Sequence, residues 1–210
     1  MRYLTRLAAL FVVGALALAG CSSGSRGGSS GSANPSGLAV AAKLPTPIGK
    51  PQLTLTDTDG QPYDLTARTE GRTTLLYFGY THCPDVCPTT MADIAIALKS
   101  LAVVASRVTV VFVTTDPARD TPPVIKAWLA HFDSSFVGLT GSEKTIYAAA
   151  DSLGVPLQPP ITESDGSITV NHGAQVIAFG PDNKAHTVFT AGAGSDGYVH
   201  DLPLIVENRL

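Results

Sequence analysis

Three cysteines in 210 residues are too few for a disulfide-stapled scaffold and cannot supply the four thiolates of an iron–sulfur cluster. Charged residues make up only 15% of the chain, and no block of Lys or Arg occurs. With a formal net charge of −3, the protein lacks the basic surface that binding to a phosphate backbone requires. The apolar run at the N-terminus, Leu7 to Ala19, is shorter than the roughly 20 residues of a membrane-spanning helix. There is no internal repeat, no Ser–His–Asp spacing and no glycine loop suited to a phosphate. What the chain does have is 44% hydrophobic residues, enough for a packed core and one domain with additions.

The additions lie at the start. Arg2 and Arg6 precede the apolar run, which ends in Leu18-Ala19-Gly20-Cys21. A basic segment, a short apolar segment and small residues at a cut site make a secretory signal. The ending resembles the lipobox of bacterial lipoproteins. That resemblance implies a signal peptide at residues 1–20, diacylglycerol on the Cys21 sulfur, and a chain anchored on the extracytoplasmic face of the cell membrane. An uncleaved membrane anchor is the alternative, and it too exports the domain. From Ser22 to Gly37 the chain is almost all Ser, Gly, Ala, Asn and Pro, a composition that buries no core. Residues 21–44 are therefore expected to be a flexible tether and residues 45–210 the folded domain, its first ordered residue falling between Leu44 and Pro51.

Within the domain, Leu53 and Leu55 alternate with polar residues before the turn Asp57-Thr58-Asp59-Gly60, and Tyr63 and Leu65 follow, which predicts an N-terminal hairpin. Thr73–Tyr80 and Val108–Thr115 are apolar, β-prone runs suited to buried central strands. Pro88 predicts the first position of a helix whose inner face carries Met91, Ile94, Leu98 and Leu101. Asp120-Thr121-Pro122 predicts a second helix start, with Asp120 as cap and Ile125, Trp128, Leu129 and Phe132 inward. A short strand at Phe136–Leu139 precedes a helix opened by Ser142 and ended by Gly154. Residues 155–170 read as an insertion with a turn at Asp165-Gly166. Strands at Gln175–Phe179 and His186–Thr190 and a helix from Ser195 or Asp196 complete the chain. This alternation predicts an α/β fold with parallel strands and helices on both faces. With a dithiol at the first strand-to-helix junction, it is similar to the thioredoxin-like arrangement, with a short insertion before the last two strands.

The dithiol is Cys83-Pro84-Asp85-Val86-Cys87. A helix N-terminus favours thiolate, the reactive and metal-binding form of cysteine. A disulfide wants Cβ atoms about 3.8 Å apart, whereas residues four apart on a regular helix are separated by about 5–6 Å. Metal–sulfur bonds of about 2.3 Å tolerate the wider gap, so the spacing leans toward a metal without forbidding a disulfide. Soft thiolates select Cu(I) or zinc, and two thiolates with one imidazole suit copper in either oxidation state.

The run Tyr77-Phe78-Gly79-Tyr80-Thr81-His82-Cys83-Pro84-Asp85-Val86-Cys87-Pro88 closely resembles the copper-binding motif of the SCO/SenC family, copper chaperones of cytochrome c oxidase assembly. Thr115-Asp116-Pro117-Ala118-Arg119-Asp120-Thr121-Pro122 resembles the family's aspartate–proline loop, and Phe136–Gly141 its third-strand segment. The resemblance implies copper bound by Cys83, Cys87 and a downstream histidine in the loop before a late apolar strand, a place that only His172 occupies here. Many family members carry an aspartate before this histidine and a small hydroxyl residue after it. Asn171 and Gly173 depart from that pattern, so the imidazole is expected to be less firmly oriented.

The remaining candidates carry weaker expectations. His82 should point away from the sulfurs, because neighbours on an extended chain face opposite ways. His131, His186 and His200 are expected at the surface and Met91 in the core. Asp85 could tune the thiols or face solvent, Asp116 could lie near the site, and Arg119 could pair with a carboxylate. The function expected is a metallochaperone carrying copper to the dinuclear copper centre of oxidase subunit II, working as a monomer. The alternative is an extracytoplasmic thiol–disulfide oxidoreductase using Cys83 and Cys87 as its redox pair. A binding module with a structural disulfide is the plainest reading.

Overall fold

The architecture follows from Thr73–Gly79 (β4), whose side chains are buried without exception and alternate between two cores. Leu75 and Tyr77 enter one core, Leu76 and Phe78 the other. A strand buried on both faces needs helices on both sides. The computed structural model describes residues 37–162, 164, 166 and 168–210. In chain order its other elements are strands β1 (Ala41–Gly49), β2 (Thr54–Asp57) and β3 (Pro62–Asp64), helix α1 (Leu65–Arg68), then, after β4, helices α2 (Val86–Ser100) and α3 (Ala102–Ala105). Strand β5 (Val108–Thr114), helix α4 (Pro122–Leu129), strand β6 (Val137–Thr140) and helix α5 (Glu143–Ser152) follow. The last elements are β7 (Ile161–Thr162), β8 (Ile168–Thr169), β9 (Val176–Phe179), β10 (Lys184–Phe189) and α6 (Gly194–Val206).

Eight strands form one sheet in the order β1-β10-β9-β4-β5-β6-β2-β3. β4, β5 and β6 are parallel, as the strand–helix alternation predicts, and β9 joins β4 antiparallel with Tyr77 opposite Val176. Cys87, Met91, Ile94 and Leu98 of α2 pack on one face with Ile125 and Leu129 of α4 and Tyr198, Leu202 and Ile205 of α6. Leu65, Ile146, Ala149 and Ala150 cover the other. This is the thioredoxin-like fold expected, with the β2–β3 hairpin at the far edge and the β7–β8 hairpin as the insertion. The turn expected at Asp165-Gly166 lies partly outside the described residues; Gly166 itself has φ +84°. None of the described helices is long and apolar enough to cross a membrane. The signal peptide expected at residues 1–20, Cys21 and the tether expected up to Ser36 lie outside the described residues.

Three expectations need correction. The folded domain starts before residue 45: Leu38 and Ala41 are buried, and β1 pairs Ala41 with Phe189 at the sheet edge. Helix α2 begins at Val86, two residues before Pro88, which a proline tolerates because first-turn N–H groups have no partner within the helix. Thr121, not Asp120, caps α4, and its side chain makes no capping bond.

Asp201 of α6 secures the N-terminal strand. Its buried carboxylate accepts the N–H groups of Ala39 (2.7 Å), Val40 (2.9 Å) and Ala41 (2.7 Å). Burial pushes this carboxyl's pKa up, but the three amides together with His200 outweigh burial and hold it below the usual carboxylate range. Its stabilising effect is therefore present above the ordinary aspartate pKa near 4 and is lost as pH falls through the lower folded value. Asp201→Ala should cost about 1–3 kcal/mol at neutral pH, because it leaves buried amides unpaired. Urea unfolding at pH 7 and hydrogen exchange at Ala39–Ala41 check this; unchanged protection of those amides would contradict it.

Candidate metal centre

The end of β4, the start of α2 and the loop before β9 meet at one end of the central strands. Because β9 runs antiparallel to β4, residues that precede β9 lie beside residues that follow β4. The ligand atoms of Cys83, Cys87 and His172 come within 4.8 Å of one another, the only such His/Cys/carboxylate group among the described residues. Both thiols are free. Cys87 is fully buried, while Cys83 and His172 are partly exposed.

Helix α2 starts without a conventional side-chain cap, since Asp85 makes no capping bond. The Cys87 N–H instead donates to Cys83 Sγ at 3.4 Å, so a sulfur takes the place of a capping oxygen. The Cys87 side-chain hydrogen bond is the main reason the Cys83 thiol falls to about 5, with the Cys87 and Asp85 amides assisting against burial. The same bond, with burial, pushes Cys87 far up. The unloaded pair is one thiolate and one thiol sharing a proton, and a bound metal would expel that proton.

Gly79 makes this approach possible. A Cβ there would lie 3.0 Å from Cys87 Sγ and 2.8 Å from Tyr77 Cε1. Only a residue without a side chain lets α2 bring its sulfur this close to the end of β4.

His172 is placed by its own loop. Leu157 forms an isolated bridge with His172, Gly173 N–H donates to Pro156 O (2.8 Å), and Gln158 N–H donates to Asn171 O (3.0 Å). His172 Nδ1 lies 3.0 Å from Gly173 O. A carbonyl only accepts, so Nδ1 carries the proton and Nε2 keeps its lone pair toward Cys87 Sγ, 3.4 Å away. The Tyr77 and Tyr80 rings meet the imidazole edge-on at 6.1 and 5.7 Å. The Asn171 side chain turns to Gln158, and the Gly173 carbonyl is the group that meets the ring nitrogen.

Asp120, expected as a cap, is a buried anchor of the loop leading to Cys83. It accepts Thr81 N–H (2.9 Å), Thr81 Oγ–H (2.5 Å) and Thr114 Oγ–H (2.6 Å). The aspartate–proline loop carried its signal, but capping and anchoring look alike in a linear chain. Asp116 is buried and pairs with Arg119. His82 stays on the surface near Asp120, and His131, His186 and His200 bond to Trp128 O, Asp182 and Asp201. None of these four joins the three ligands. Met91 lies in the core.

Two soft sulfurs and one imidazole, one sulfur already anionic, form a donor set suited to copper and too small for structural zinc. The sequence matches the SCO1/SenC family over residues 42–207. The chain belongs to the SCO1/SenC family. A protein of Stutzerimonas stutzeri named for copper binding is 36% identical over 167 residues, covering 79% of this chain and 81% of that protein. The human mitochondrial SCO1 homologue is 33% identical over 149 residues, covering 65% of this chain and 47% of its own length. Bradyrhizobium japonicum ScoI, solved with copper bound, superposes with a TM-score of 0.67 at 33% identity, over 76% of this chain and 99% of that one. Apo Sco1 of Thermus thermophilus gives 0.70 at 31% identity, over 79% and 96%.

The two thiols should be separable by pH. Iodoacetamide should modify Cys83 of the metal-free, reduced protein at a nearly constant rate down to about pH 5, below which its thiolate is lost. Native Cys87 should stay unmodified at neutral pH. Mass spectrometry of pulse-labelled protein reads both, and a Cys83 rate that already halves near pH 8 would contradict the sulfur cap.

Proposed function

We propose that this chain is a membrane-tethered copper metallochaperone that binds copper through Cys83, Cys87 and His172 and delivers it to the dinuclear copper centre of cytochrome c oxidase subunit II. The observation that carries this reading is the convergence of those three ligand atoms within 4.8 Å, with the imidazole lone pair turned toward the sulfurs. Family membership and the copper bound to Bradyrhizobium ScoI support copper as the cargo. The resemblance to oxidase-assembly chaperones supports the recipient. Three protein donors, two of them partly exposed, leave an incoming ligand room to displace them one at a time. A lipid on Cys21 would hold the domain outside the cytoplasm and confine its search to the membrane, raising its effective concentration near a membrane-bound recipient.

Copper titration of the reduced protein tests this. Wild type should bind one copper and show sulfur-to-Cu(II) charge-transfer absorption, which Cys83→Ser and Cys87→Ser should each weaken or abolish. His172→Ala should lose Cu(II) affinity by at least about 10–100-fold, the cost of removing even an outer partner of a ligand, and should lose less for Cu(I). Equal retention of both oxidation states would remove His172 from the site.

A second reading rests on the asymmetry of the thiols: Cys83 is a partly exposed thiolate, and Cys87 is buried beside it with a high pKa. An attacking and a resolving thiol of a disulfide exchanger are arranged in this way. Such a protein would reduce a recipient's cysteines before metallation. A dithiol/disulfide potential near the poise of the extracytoplasmic space would favour exchange. One far below that poise would leave the pair oxidised without a dedicated reductant, and the chaperone role would then depend on one.

A further inference from the structure

A groove of about 210 Å³ opens beside the Cys83–Cys87 loop, between the first turns of α2 and the Thr190–Ala193 loop that joins β10 to α6. It is smaller than the roughly 300–1,000 Å³ of pockets that hold drug-sized ligands, so it has room for one long side chain. Val86, Ala191 and Ala193 give it apolar walls. Two acidic residues, Asp85 and Asp93, and the phenol-bearing Tyr198 line it as well. Neither carboxylate has an ion-pair partner among the described residues, and no Lys, Arg or His lines the groove. Tyr198 is only 2% exposed, and its hydroxyl has no hydrogen-bond partner among the described residues. Among the described residues, a phenol whose ring is buried and whose hydroxyl has no protein partner, beside two carboxylates without a counter-ion, makes a site short of positive charge.

We propose that this groove seats an arginine side chain of the protein with which this chain exchanges copper. A guanidinium presents donors in a rigid planar fork, which suits two carboxylates and a phenol better than the point charge of a lysine. The apolar walls cover the aliphatic stem. The occupant belongs to a protein because of where the groove lies. Asp85 and Val86 stand between the two cysteines, and Val86 is 37% exposed, so a recipient that brings its own ligands to Cys83 must pass over this rim. An arginine held there would fix the recipient's register against the sulfurs. This assignment rests on the chaperone reading for its partner, and on the groove alone for its chemistry.

Two measurements separate these. In the first, the metal-free full chain in lipid nanodiscs is titrated with N-acetyl-arginine amide and followed by NMR. Saturable shifts are expected at Thr89, Asp93, Gly192 and Tyr198. N-acetyl-citrulline amide, the neutral isostere, should produce none, and Asp93→Asn should abolish those given by the arginine probe. Absent shifts, or equal shifts from both probes, would overturn the groove. In the second, stopped-flow transfer from the copper-loaded chain to the apo copper-binding domain of oxidase subunit II compares wild type with Asp93→Asn. The variant should keep its copper absorption and thermal midpoint, transfer at least about tenfold more slowly at low salt, and lose most of its salt dependence, as expected when electrostatic steering is removed. Unchanged transfer would overturn the docking role. Failure of wild type to load that domain would overturn the chaperone reading, with the arginine titration still judging the groove by itself.

Discussion

Antiparallel pairing of β9 with β4 is the constraint on which the site depends. Had β9 run parallel to β4, the loop before it would lie at the opposite end of the strands, and His172 could not meet two cysteines 85 and 89 positions away along the chain. The pairing register, Tyr77 opposite Val176, then sets how far the histidine loop reaches beyond the strand end. Three local devices refine the position. The Pro156–Gln158 segment bridges to the loop, the Gly173 carbonyl orients the ring, and Gly79 clears space for Cys87.

Electrostatics at the cysteines follow from the same placement. The sulfur of Cys83 stands where a helix would otherwise need an oxygen cap, so α2 is best ended by an anion. A sulfur that carries negative charge before metal arrives has less proton to lose on loading. The partner sulfur keeps its proton because it donates to Cys83 and is buried. One helix terminus thus produces two chemically different thiols four residues apart.

Much of this was legible in the chain. The central strands, the dithiol, the Ser142 cap and the histidine loop could be read because each has a short-range signature: β-prone runs, Cys spacing, a capping hydroxyl, a histidine before a late strand. Strand β1 escaped because Ala41–Gly49 holds two prolines and faces solvent along most of its length, so it shows no alternating pattern. It is ordered by long-range contacts, with β10 on one side and Asp201 on the other, and neither is visible from its own residues. Asp120 illustrates the converse. Its position before Thr121-Pro122 suits a cap, but the hydroxyls of Thr81 and Thr114 claim it once the sheet brings them together. Nor does Asn171 reveal that the backbone carbonyl of Gly173 meets the imidazole, because a main-chain acceptor has no signature in the residue order.

The Asp201 clamp has a mechanical side. Three consecutive amides, Ala39 to Ala41, are gripped by a carboxylate on α6, and the strand that Ala41 begins lies on the outer edge of the sheet, with β10 and β9 between it and β4. A force applied at Ala39–Ala41 is borne first by that grip and by the β1–β10 ladder. The clamp works as a strain relief does on a cable: a pull on Ala39–Ala41 loads the seam at the sheet's edge, two strands away from β4 and the sulfurs that follow it.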